Sequence, residues 1–290
     1  MARGKSKTTI QRENSLLELL KSMEPPVSVR QVYYQATVHL GEDKTEAGYR
    51  KVQQALLAMR RDGRVDYKTI ADGTRWRRHP ASHDSLWACL WHAQMDYRQA
   101  LWRSVDQYCE VWCEKDALAS TLYPVTSQWD VSLMVARGYT SESYVYSAAE
   151  DIISTGKPTT IYYLGDFDPS GWQMGEFLEE RFRAFGMPAD FNFVRLGVTD
   201  EQAHRLEADG FARETKATDT RTKAFFRRFG RGRKSVELDA IEPSALRRMV
   251  DSAITQHMSE GVLERVTMEE KAAKEALAGM MLQAQEAGLW

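Results

Sequence analysis

The stretch IYYLGDFDPSGWQMGEFLEERF, Ile161 to Phe182, decides how this chain is to be read. It runs as an apolar strand that stops at two aspartates, Asp166 and Asp168, turns through Pro-Ser-Gly and continues as a helix. Two carboxylates one residue apart repel each other, and burying them costs more unless something positive joins them. A positive partner for these two acids is therefore expected.

Working outward, apolar strands alternate with helices of ten to fifteen residues. Strands are expected at QYCEVWCE (107–114), VSLMVARG (131–138), TIYYLGDFD (160–168), FNFVRLG (191–197) and KSVELDA (234–240), with a helix near 141–154 and another near 171–185. That alternation predicts an α/β fold with a parallel, Rossmann-like sheet covered on both faces. Such sheets carry their sites at the carboxyl ends of the strands. Asp166 and Asp168 fall there, and so does Glu114, which ends its own strand before Lys115-Asp116. Three carboxylates without His or Cys form a hard, oxygen-only donor set suited to Mg²⁺ or Mn²⁺. A divalent cation there would neutralise phosphate oxygens. The alternative at the same residues is a helix N-terminus, with Asp168 as the cap before Pro169.

The first 80 residues read differently. QRENSLLELLKSM is helical, Pro25-Pro26 stops it, and Ser28 caps VRQVYYQATVHLG. TEAGYRKVQQALLAMRRDG follows, with Thr45 as cap and Gly63 as stop. Asp72-Gly73 then marks a hairpin. Three short helices and a hairpin predict a winged-helix (CAP-like) domain over 1–80. A linker and a tryptophan-rich segment occupy 81–106, where Trp87, Trp91, Met95 and Trp102 read as core or interdomain packing. The α/β domain then fills 107–290, ending in a long Ala/Met-rich helix read as packing or a subunit contact.

Residues 1–80 hold 16 Lys+Arg against 9 Asp+Glu, and the remainder is correspondingly acidic, so an anionic partner is expected for the first third. Arg50, Lys51, Arg60 and Arg61 on the third helix, and Arg75, Arg77 and Arg78 in the hairpin, are the candidate contacts to double-stranded DNA. KATDTRTKAFFRRFGRGRK, 216–234, carries eight Lys/Arg and one Asp and reads equally as a second DNA contact or a solvated loop. In VRQVYY the helical spacing sends Tyr33 to the core and sets Tyr34 beside Arg30. A tyrosine hydroxyl next to a guanidinium suits attack on a phosphodiester, with packing as the alternative role.

Composition fits an ordinary globular chain, at 43% hydrophobic and 28% charged residues. No apolar run of membrane-spanning length is present. MARGKSKTT reads as a frayed tail, not a secretory signal. Cys89, Cys109 and Cys113 read as small buried hydrophobes in a reducing cytoplasm.

Taken together, VRQVYY (29–34), EKDAL (114–118), ARGYTS (136–141), GDFDPSG (165–171), RLGVT (195–199) and VELDAI (236–241) resemble the A subunit of topoisomerase VI and the related meiotic double-strand-break transesterase. The resemblance is strongest to the short phage, plasmid and bacterial relatives called topo mini-A, and it spans about 27–255. It implies a winged helix joined to a Toprim domain and nucleoid-associated work in the cytoplasm. Tyr34 corresponds to the nucleophile that forms a 5′-phosphotyrosyl link, Arg30 to its supporting arginine, and Glu114, Asp166 and Asp168 to the Mg²⁺ acids. The family implies a homodimer in which one protomer's tyrosine meets the other's metal site, and a separate ATPase subunit as a possible partner. This chain has no G-x-x-x-x-G-K-[ST] loop of its own, so it holds no sign of strand passage by itself. A Toprim nuclease that uses water, or a protein that binds or bridges DNA, are the competing readings.

Overall fold

In the computed structural model the described residues are 6–70, 80, 82–136, 140–216 and 218–288. Three helices open the chain: α1 (Lys7–Ser22), α2 (Val29–His39) and α3 (Glu46–Arg61). Their starts follow the sequence. The Ser28 hydroxyl accepts from the Gln31 N–H while the Gln31 side chain accepts from the Ser28 N–H, a reciprocal cap that fixes where α2 begins. Thr45 caps α3 through the Gly48 N–H. A short 3₁₀ turn at Tyr67–Thr69 follows, and Ile70 makes a single parallel bridge to Val27. The expected hairpin, with Arg75, Arg77 and Arg78, lies outside the described residues.

Next come α4 (Leu86–Asp96), β1 (Tyr108–Cys113), α5 (Ala119–Gln128), β2 (Leu133–Val135), α6 (Glu142–Ser154), β3 (Thr159–Leu164), α7 (Pro169–Ala184) and β4 (Asn192–Gly197). The strands form one parallel sheet in the order β2-β1-β3-β4. Beyond it run α8 (Asp200–Ala208), α9 (Thr222–Phe229), α10 (Pro243–Thr255) and α11 (Val262–Glu286). The α/β architecture expected from the alternation is therefore present.

Side chains alternate faces along each strand, and both faces are buried. Cys109, Val111 and Cys113 of β1, with Tyr162 and Leu164 of β3, join one core with Leu118 just before α5, Leu122 of α5 and Leu246 and Val250 of α10. Trp112, Ile161 and Tyr163 point the other way, against Val145, Ala148 and Ile152 of α6 and Leu178 and Phe182 of α7. The first core continues into Val32, Leu56 and Leu16 of the N-terminal helices without interruption.

Two expectations are corrected. KSVELDA is not a sheet strand: Ser235 bridges Arg213, Val236 bridges Phe167, and the chain then enters a 3₁₀ turn at Leu238–Ala240. The alternation reports that Val236 and Leu238 are buried; it does not supply a strand edge to pair with. Likewise Trp91 and Met95 are not core, being 46% and 57% exposed on α4, whereas Trp102 is buried and donates its indole N–H to the Trp129 carbonyl. The α4 segment is apolar by composition but lies mainly against α11 alone.

Candidate active site

The site lies where β1 and β3 end. The β3–α7 turn is fixed by Arg195 of β4, whose guanidinium donates to the carbonyls of Gly165 (3.1 Å), Asp166 (2.5 Å) and Gly171 (3.3 Å). Its other faces pack on the rings of Trp172 (4.5 Å) and Tyr163 (5.4 Å). Gly171 is required by the close approach: a Cβ there would stand 2.5 Å from the Asp166 carbonyl oxygen and 3.0 Å from Glu114 Oε2. Arg195 had no role in the sequence reading, although it opens the RLGVT stretch.

The structure brings Glu114, Asp166 and Asp168 to one edge, each engaged through one oxygen. Glu114 Oε2 accepts from the Asp166 N–H (3.1 Å), and Asp168 Oδ1 caps α7 through the Gly171 N–H (2.7 Å). Asp166 Oδ1 accepts from the Leu238 N–H (2.7 Å) and pairs with Lys115 Nζ (2.8 Å). The cap reading of Asp168 thus describes its observed bond. Burial pushes the Glu114 carboxyl up to about 7, with the nearby Asp166 charge adding to it. Burial likewise lifts Asp166 to about 6, against the pull of Lys115.

The positive partner of Asp166 in this structure is Lys115, which does not reach Asp168. Its ammonium group reaches Asp239 Oδ2 (2.5 Å), Asp166 Oδ1 (2.8 Å) and Glu237 Oε2 (3.2 Å). Burial alone would lower its pKa, but the three carboxylates override that and hold it well above the ordinary lysine value. The 233–241 strap supplies Glu237 and Asp239. Neither was singled out from the sequence; the signal was acidic residues alternating with buried ones in VELDA.

Does the donor set fit a divalent cation? The chemistry fits. Glu114 Oε1, Asp166 Oδ2 and Asp168 Oδ2 have no hydrogen-bond donor among the described residues. The arrangement is not closed: among the described residues no three His, Cys, Asp or Glu side chains converge on one point as metal ligands.

Tyr34 is brought to this network from α2. Both Tyr33 and Tyr34 are buried, at 3% and 2% exposure: Tyr33 is core as its spacing predicts, and Tyr34 is buried as well, with Arg30 beside it. The Tyr33 hydroxyl is shared between the carbonyls of Asp43 (3.0 Å) and Thr45 (3.1 Å). The Tyr34 hydroxyl faces Glu237 and Arg30 but completes no hydrogen bond of good geometry. Its ring lies under Arg213, whose guanidinium carbon is 4.9 Å from the ring centroid. Burial first, and the Glu237 charge second, raise the phenol far above its ordinary pKa. Arg30 reaches the Glu237 carboxylate at 3.5 Å, and Arg213 reaches the same carboxylate at 2.9 Å. Burial lifts the Glu237 carboxyl, but Lys115, Arg30 and Arg213 more than reverse that and hold it below the usual value. One carboxylate thus joins the tyrosine side of the site to the Asp166 side.

The candidate DNA contacts of α3 lie apart from this network. Arg50 pairs with Glu46 (3.7 Å), Lys51 with Asp43 (3.8 Å), Arg60 covers the Tyr67 ring (5.3 Å) and Arg61 is exposed. In the 216–234 segment Arg233 is buried and bound to Asp200 and Glu207. Lys223 and Arg227 stand on the outer face of α9, whose Phe225 and Phe229 pack on Phe167 at 5.1 and 4.9 Å, between the two aspartates.

Compared with known proteins, the chain matches no family profile, no curated protein and no solved structure.

Proposed function

We propose that this chain is a divalent-cation-dependent, DNA-cleaving transesterase of the topoisomerase VI A type, acting on double-stranded DNA as a homodimer at the nucleoid. The observation that carries the reading is the ion-pair path from Arg30 through Glu237 and Lys115 to Asp166, with the Tyr34 hydroxyl facing Glu237 at its start. It couples a candidate nucleophile, a phosphate-orienting cation and a carboxylate set.

In this reading Tyr34 Oη attacks phosphorus, its proton passes to a nearby base, the bond from phosphorus to the 3′ oxygen breaks, and that departing oxygen takes a proton from water. The product is a 5′-phosphotyrosine and a 3′-OH, so re-attack by that hydroxyl reseals the strand. Arg30 orients the phosphate and stabilises charge growing on its oxygens. Glu237 is the carboxylate placed to take the phenol proton. Glu114, Asp166 and Asp168 would hold Mg²⁺ or Mn²⁺, which supplies charge neutralisation on the transferring phosphate. The winged-helix assignment of the first 80 residues, with Arg50, Lys51, Arg60, Arg61, Arg75, Arg77 and Arg78 as DNA contacts, belongs to the same proposal.

A second reading is favoured by one observation, the 2% exposure of Tyr34. A buried phenol with a raised pKa is a poor nucleophile until α2 or Arg213 moves, whereas the carboxylates could activate water without it. End-labelled duplex, incubated with Mn²⁺ and quenched in detergent, separates the two. Label carried into the phenol phase with protein, and abolished in Tyr34→Phe, is expected. Free-ended cleavage that survives Tyr34→Phe but is lost in Asp168→Ala would establish the water-using nuclease. Binding without cleavage would leave a DNA-bridging role.

A further inference from the structure

Beside Tyr34, between α2, the turn into α3 and the segment after α8, lies a cavity of about 60 Å³ lined by Arg30, Tyr33, Lys44, Glu46, Tyr49 and Arg213. We propose that it is a phosphate subsite, with Lys44 and Arg213 as its anchors alongside Arg30. Nothing in the proposed reaction assigned a role to Lys44 or to this cavity.

Size restricts the ligand first. A water's share of liquid volume is roughly 30 Å³, so the cavity has room for a small oxyanion. Drug- or nucleoside-sized ligands occupy roughly 300 Å³ or more, which excludes a base. Charge restricts it next. Three cations from three segments converge here, and the carboxylate that serves two of them, Glu237, is already shared with Lys115. Lys44 has no carboxylate partner among the described residues and donates only to the Gly210 carbonyl. Burial, then Arg213 and Lys234, disfavour its charge. The buried Nε of Arg213 has no hydrogen-bond acceptor. The Glu46 carboxylate on the cavity wall is drawn outward to Arg50, at 3.7 Å.

The wall is also positive and stiff. Thr45 and Glu46 begin α3, whose N-terminal end favours anions. Tyr33 stacks edge-on between Tyr34 (5.6 Å) and Tyr49 (5.3 Å), and its hydroxyl ties down the 43–45 turn that carries Lys44. Arg30 lies over Tyr49 at 5.8 Å, and Arg213 over Tyr34 at 4.9 Å. A phosphate in the cavity would satisfy excess donors, among them those of Arg213, which also covers the Tyr34 ring.

That this phosphate belongs to a DNA backbone, and not to a free anion, rests on the function proposed above. Calorimetry of the full chain with inorganic phosphate, at constant ionic strength against chloride, tests the site itself. Phosphate is expected to bind in preference to chloride. A charge-assisted hydrogen bond contributes about a factor of ten or more, so Lys44→Ala should weaken phosphate binding about tenfold while Lys44→Arg largely retains it. Equal binding by wild type and Lys44→Ala, or no distinction between phosphate and chloride, would overturn the proposal. The exposed Lys44 is the primary variant because Arg213→Ala also breaks the ion pair to Glu237. Duplex binding, measured in a Tyr34→Phe background, distinguishes the source: weakening by Lys44→Ala marks a backbone phosphate, and no change overturns that part. Phosphate binding through Lys44 without any protein–DNA adduct would keep the subsite and remove the transesterase. An adduct that forms without phosphate binding would do the reverse.

Discussion

At the scale of single residues, one ammonium group balances three carboxylates. Asp239 is fully buried and Asp166 nearly so, and both depend on Lys115 for a counter-charge. A buried ion pair adds little net stability over apolar packing, but removing one partner strands the others in low dielectric. Lys115→Met is therefore expected to cost about 3–5 kcal/mol in urea unfolding, and Lys115→Met/Asp239→Asn less than the single variant. If Lys115→Met unfolds at the wild-type urea concentration, the network does not hold the strap in place. Lys115 also shows where the sequence was mute. The need for a positive partner beside Asp166 and Asp168 was legible, and a bound cation was the inference drawn from it. That a lysine one residue after Glu114 reaches Asp166 depends on the β1–β3 register, in which Cys113 pairs with Leu164, and no local pattern encodes that pairing. Arg195, Arg213 and Glu237 were missed for the same reason, since each acts on a segment distant in sequence.

At the scale of elements, β1 carries a polar group inside an apolar face. Tyr108, Glu110 and Trp112 share that face by strand alternation, and Glu110 accepts from the Tyr108 hydroxyl (3.1 Å) and the Trp112 indole (2.9 Å). Burial still outweighs those two donors and raises the Glu110 carboxyl. An acid with a folded pKa above its unfolded value, roughly 4.3, binds its proton more tightly when folded. Its contribution is full below that unfolded value and is lost as pH rises through the folded one. Glu110→Gln keeps an acceptor for Trp112 and removes the charge. Thermal unfolding is expected to be the same for both proteins near pH 4, with the variant the more stable at pH 7. A variant less stable at pH 7 would show that the ionised carboxylate is stabilising. Elements with strong local signals were the legible ones: the Ser28 and Thr45 caps, the three longer strands, and the Pro-Ser-Gly start of α7. The 233–241 strap was not, because its two isolated bridges leave the same alternating pattern as a true strand.

At the scale of the whole molecule, the basic N-terminal third is fastened to the α/β layer by buried contacts from several elements. The Thr121 hydroxyl donates to Gln31 (3.1 Å), Gln35 reaches the Ala240 carbonyl (3.5 Å), and Arg247 of α10 donates to the carbonyls of Glu24 and Pro26. The apolar core passes through the same region, from Leu16 to Val266. Independent domains joined by a linker bury little surface between them, and one can unfold while the other persists. Here unfolding α1 to α3 alone would expose the α2 face on the strap and leave Glu237 with fewer cations. Urea unfolding is accordingly expected to show coincident transitions by tryptophan fluorescence and by far-ultraviolet circular dichroism. Among the described residues every tryptophan, Trp87, Trp91, Trp102, Trp112, Trp129 and Trp172, lies outside α1 to α3, whereas the dichroism also weighs those helices. Coincidence is the test of one cooperative unit. Two separated transitions would show that the shared core does not couple the parts, and that α2, with Tyr34, can leave the carboxylate site while the sheet stays folded.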